Sequence, residues 1–105
     1  MRLGDKQRKF TRLIAELILW AYEQGYEISL GHAYRCFDCK VGRKYSLHKD
    51  KLALDINLFK DGMYMTSTRD HTPLGEKWES MDEDCSWGGR FNDGNHYSLE
   101  HNGRR

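Results

Sequence analysis

Three features of this 105-residue chain predict an α+β fold, a small single domain with an antiparallel sheet flanked by helices. A long stretch near the start places apolar residues three and four apart. Short apolar stretches bounded by turn residues follow it. A Thr-Pro pair then opens a second helical stretch before the last glycine-rich segment. The length suits one core and not two.

Phe10, Leu13, Ile14, Leu17 and Ala21 line one face of a helix predicted over about 5–24. Asp5 is positioned to cap its start and Gly25 to stop it. "YEISLGHAY", 26–34, reads as a strand, and 36–45 as a polar, basic loop. "LALDINLF", 52–59, reads as a second strand, with "KDG" at 60–62 turning into "MYMT". Thr72 as N-cap and Pro73 at the first helical position start a helix running through Trp78 to about Met81. "WGGRFNDG", 87–94, is a glycine-rich loop, and "HYSLEH", 96–101, a final strand. Trp20 and Trp78 belong to the core, while Trp87, beside two glycines, is placed to line a cleft.

Formal net charge is +1, which gives no general attraction to nucleic acid. The charge is uneven: residues 1–60 hold 12 Lys and Arg against 7 acidic residues, and residues 61–105 hold 5 against 9. A basic front half could help the chain approach an anionic polymer; a solvated charged face is the simpler reading of that division. No run approaches the roughly 18 apolar residues of a membrane span, and "MRLGDKQRKF" lacks the apolar core of a signal peptide. The expectation is a monomer made in the cytosol, without stable membrane insertion. Three cysteines, an odd number, suit a reducing compartment better than a disulfide framework.

The stretch "SLHKDKLALDINLF", 46–59, carries His48 and, inside an apolar run, Asp55. On one straight strand the two would stand about 23 Å apart on opposite faces. The polar "HKDKL" allows a bend that brings them together. A carboxylate among apolar residues is costly unless paired or bound to a cation. The solvent face of a half-buried strand is the other reading, and this stretch alone leaves both open. "NDGNHYSLEH" adds Asp93 three residues before His96. A catalytic zinc site needs three N or O ligands and a position for water. His48, Asp55 and His96 supply that set, leaving Asp93 to act as base.

These segments resemble a known family. "SLHKDKLALDINLF" is similar to the Ser-x-His-x-x-Gly-x-Ala-x-Asp signature of zinc peptidases that cut peptidoglycan stems. The family comprises D-alanyl-D-alanine carboxypeptidases and dipeptidases and the L-alanyl-D-glutamate endopeptidases of bacteriophage endolysins. "WGGRFNDGNHY" resembles its second signature, and "PLGEKWESM" resembles the phage branch. The likeness runs from about Phe10 to His101. It implies a hedgehog-type α+β fold, with His48, Asp55 and His96 as Zn2+ ligands and Asp93 as general base. It further implies Arg35 as the group that polarises the scissile carbonyl, and Ser46 at the substrate's edge. The signature's glycine falls at Lys51, and the "CFDC" at 36–39 is not a family feature.

The implied function is zinc-dependent hydrolysis of the peptidoglycan stem by a phage endolysin with L-alanyl-D-glutamate endopeptidase activity. It would be made in the host cytoplasm and reach the wall once another protein has opened the membrane. The alternatives are a D-alanyl-D-alanine carboxypeptidase, a non-catalytic wall-binding module with structural zinc, and a metal-dependent nuclease. The nuclease lacks the basic helix or the aromatic-basic interleaving that nucleic acid binding calls for. Lesser candidates are a structural zinc site of Cys36, Cys39 and Cys85 with a histidine, and His101 with Glu100 in place of His96. His32 and His71 read as surface or hydrogen-bonded residues.

Overall fold

The computed structural model describes residues 2–31, 52–91 and 93–100. Helix α1 spans Leu3–Glu23 and buries Phe10, Leu13, Ile14, Leu17 and Ala21, the face that the spacing predicts. It starts earlier than expected. Arg2 occupies the cap position without a side-chain cap hydrogen bond, so Asp5 lies inside the first turn and pairs with Arg8. An acidic group there still suits the positive end of the helix dipole. Gly25 stops the helix as expected, with φ of 90°, a left-handed conformation that costs glycine little.

Strand β1 is Tyr26–Leu30, shorter than the predicted 26–34, since Gly31 has already left the strand and 32–34 fall outside the described residues. Strand β2 is Ala53–Lys60 and β3 is Met63–Met65. Asp61 and Gly62 between them both have positive φ, 53° and 78°, the two-residue hairpin geometry favoured by Asp-Gly.

A 3-10 turn over Arg69–His71 runs into helix α2, Thr72–Met81. Thr72 is therefore not the cap. His71 holds that position in a helical conformation, because the preceding turn already winds the chain, and Pro73 stands second in the helix, one position later than expected. Strand β4, Cys85–Trp87, was not foreseen; Trp87 belongs to it and not to a loop. A second 3-10 turn covers Gly88–Phe91, and β5 is His96–Leu99, with Glu100 already past its end.

All pairings are antiparallel, in the order β1-β2-β5-β4, with β3 also on β2. Strand β2 is the hub. Its residues 56–60 pair with β1, 58–60 with β3 and 53–55 with β5. Leu54, Ile56 and Leu58 point into one core with the buried faces of α1 and α2. Asp55, Asn57 and Phe59 alternate with them onto the opposite face. Two helices against a five-stranded antiparallel sheet give the mixed α+β fold expected.

Trp78, fully buried, joins the layers. Phe10 of α1 meets it edge-on at 5.8 Å, and its indole N–H donates to the carbonyls of Ser86 and Ser98, on β4 and β5. Trp20 packs at the core's margin and is only partly buried. The uneven charge is partly used inside the fold. Lys9 of α1 meets Asp82 at 2.9 Å and Lys6 meets Asp84 at 3.8 Å, pinning α1 to the acidic segment after α2. Backbone N–H of Asp84 and then Lys9 hold the Asp82 carboxyl below its usual range.

Candidate functional site

Asp55 of β2 and His96 of β5 are direct partners in the antiparallel register. Direct partners project to the same face of a sheet, so both leave the core side, where Leu54, Ile56 and Tyr97 are buried. His96 Nδ1 stands 3.7 Å from Asp55 Oδ1, and the side chains are 17% and 13% exposed. The backbone fixes this position on both sides: Gly31 N–H donates to the Asp55 carbonyl at 2.7 Å, and Ile56 N–H donates to Asn95 O at 2.8 Å. Asp55 is thus half-buried on the outer face, close to a histidine as well as at a strand's polar position.

The 93–96 segment is a tight turn. His96 N–H donates to the Asp93 carbonyl at 3.1 Å, and Asp93 N–H donates to Gly88 O at 2.9 Å. Gly94 N–H reaches Thr68 Oγ1, and Gly94 O accepts from the Trp87 indole at 2.7 Å. Asp93 itself is exposed. Trp87 corrects the expectation that it lines a cleft. It is buried, and its ring lies so close to Gly75 and Gly89 that a Cβ there would fall 2.0 and 2.3 Å from ring atoms. Its indole holds the Asp93–His96 turn in place.

His71, expected at the surface or in a hydrogen bond, is buried with its Nδ1 2.8 Å from Tyr97 Oη. Burial lowers the His71 pKa below its usual value and raises that of Tyr97, so a neutral imidazole and a neutral phenol share this hydrogen bond, its direction set by the imidazole tautomer. This pair braces the core beneath His96. Cys85 is a free, buried thiol whose pKa burial pushes up to about 12, a setting that disfavours a thiolate ligand.

The donor set of Asp55 and His96 fits zinc. Two ligands about 2.0–2.1 Å from one tetrahedral ion stand roughly 3.3 Å apart, close to the 3.7 Å found between the carboxylate oxygen and the ring nitrogen. His48, the third ligand expected, lies outside the described residues. So do Arg35, Ser46, Lys51, Cys36, Cys39, His32 and His101. Among the described residues no three His, Cys, Asp or Glu side chains gather closely enough to hold a metal ion. Compared with known proteins, the chain matches no family model and no curated protein. Among the described residues no helix is long and apolar enough to cross a membrane.

Proposed function

We propose that this protein is a zinc peptidase that hydrolyses the peptide stem of bacterial peptidoglycan, an endolysin cutting the L-alanyl–D-glutamyl bond. The observation that carries the reading is the cross-strand pairing of Asp55 with His96. Residues separated by 41 positions (55 to 96) meet on one face with ligand-like spacing, and Asp93, three residues before the histidine and joined to it by a backbone hydrogen bond, is exposed.

In this reading His48, Asp55 and His96 hold the metal. Bound zinc supplies Lewis-acid polarisation and lowers the pKa of water to about 7. The Asp93 carboxylate takes a proton from the attacking water as the water oxygen bonds to the scissile carbonyl carbon. Arg35 steadies the negative charge that develops on the carbonyl oxygen. The C–N bond then breaks, and Asp93 returns the proton to the leaving amine. An aspartate reaches less far than a glutamate, and the pinned turn from Gly88 to His96 sets where that carboxylate stands. Ser46 borders the substrate. The enzyme reaches the wall after another protein permeabilises the membrane.

The test is mass spectrometry of purified peptidoglycan after incubation with zinc-loaded protein, with a chelator-treated control. New L-Ala carboxyl and D-Glu amino ends that need the metal support the reading. Release of terminal D-alanine moves the activity to a carboxypeptidase. Absence of any new end from folded, zinc-bound protein sinks it.

A further inference from the structure

The outer face of the sheet carries a built row that leads away from Asp55 along β2, through Asn57 to Phe59. On the β1 side Ser29 lies opposite Asn57, and on the β3 side Tyr64 lies opposite Phe59. The polar groups are linked: Tyr64 Oη donates to Asn57 Oδ1, and Asn57 Nδ2 donates to Ser29 Oγ, both at 3.3 Å. The Phe59 and Tyr64 rings stack at 5.1 Å with 25° between their planes. Tyr64 is 56% exposed, so an aromatic surface with an amide and two hydroxyls beside it faces outward. Gly31, next to Asp55, adds no side chain at the near end of the row.

The geometry points to this row as a binding subsite for the N-acetylated amino sugar that bears the stem peptide. The inference rests on the peptidase reading and gives it a direction, with the sugar side of the scissile bond running along β2 toward Phe59. The spacing agrees. One alanine and the lactyl ether that joins it to the sugar each span about one residue length, so the sugar begins roughly 7 Å from the scissile carbonyl. Asn57, two residues along the strand from Asp55, is also about 7 Å away. The Phe59–Tyr64 pair follows at about 13 Å, where the ring continues. The chemistry agrees as well. A pyranose has a C–H face that can cover an aromatic ring, and its acetamido group needs both a donor and an acceptor, which an Asn amide provides.

The test uses zinc-loaded Asp93→Asn protein, to prevent turnover, and three probes followed by NMR titration. They are N-acetylmuramyl-L-alanyl-D-isoglutamine, N-acetyl-L-alanyl-D-isoglutamine, and N,N′-diacetylchitobiose, which has no peptide. The sugar-bearing dipeptide should bind about tenfold more tightly than the sugar-free one, with the Tyr64 ring signals shifting. Adding Tyr64→Ala should remove that difference, while Tyr64→Phe, which keeps the ring, should retain most of it. Tyr64 is exposed, so both variants are expected to fold. Equal affinities in the parent, or an advantage that survives Tyr64→Ala, overturns the subsite even if peptidoglycan is cut. Chitobiose binding that depends on Tyr64, with no peptide cut by the unmodified protein, removes the peptidase and leaves the sugar subsite standing.

Discussion

Gly88→Ala tests how the site is positioned. A Cβ on residue 88 would lie 2.3 Å from the Asp93 carbonyl oxygen and 2.8 Å from His96 Cβ. The nearer atom is backbone, held by the Asp93-to-Gly88 and His96-to-Asp93 hydrogen bonds, so no side chain can swing aside to relieve it. Reaching ordinary contact at 3.4 Å moves the Asp93 carbonyl by about 1 Å. Overpacking of this kind costs about 1–3 kcal/mol, and each kcal/mol lowers the melting temperature by about 5 °C in a domain of this size. Misplacing a catalytic group by about 1 Å can cost 100-fold in rate. The expected result is a folded protein, melting some 5–15 °C lower, with kcat/KM on the stem peptide reduced about 100-fold. Circular dichroism melts and peptide turnover measure these two quantities, and zinc competition with a chromophoric chelator follows the His96 side of the turn. Unchanged zinc affinity and turnover in Gly88→Ala would refute the claim that this glycine lets the Asp93–His96 turn sit where it does.

Asp93→Asn should abolish peptidoglycan cleavage while leaving zinc affinity within a few-fold, as seen by the same competition assay; loss of metal instead would make Asp93 a ligand. His96→Ala should weaken zinc by at least about 100-fold, with the fold preserved by circular dichroism. Trp78→Phe leaves the Ser86 and Ser98 carbonyls without their indole donor, which costs about 1–3 kcal/mol by urea denaturation. His71 gives a pH dependence with a definite sign. Its folded pKa is depressed below 6.5, so the unfolded chain takes a proton there that the fold refuses. Its contribution is therefore intact above pH 6.5 and is lost as pH falls toward the folded pKa, at up to about 1.4 kcal/mol per pH unit. Denaturant midpoints between pH 8 and 5 should show that slope, and a His71→Gln variant should lack it.

Much of this fold was legible because its signals are local. The face of α1 follows from five apolar residues at helical spacing, and the β2–β3 hairpin from Asp61-Gly62. Strand β4 was not legible, since "CSW" is too short to show alternation and is held by β5 and by Trp78. The start of α2 was misread because a 3-10 turn before Thr72 leaves no mark that separates it from a capped helix. Asp55 and His96 were each visible as polar residues beside apolar stretches. Their direct pairing was not, because register between β2 and β5 depends on how the whole sheet closes. The burial of Trp87 was missed for a related reason: the glycines beside it and on α2 make room for its ring, not for a ligand. The Asn57, Ser29 and Tyr64 chain could have been sought from the alternation in β2, but its members come from three strands.

The position of β2 also sets an order of assembly. Its turn to β3 is made by neighbouring residues, whereas its pairing with β5 joins segments about forty positions apart. Loop closure makes the second event the slower one. Until β5 docks, Asp55 lacks the His96 side chain that faces it in the finished sheet. The Asp55–His96 pair is therefore completed at the end of folding, and whatever that pair binds meets the nearly finished protein, not the nascent chain.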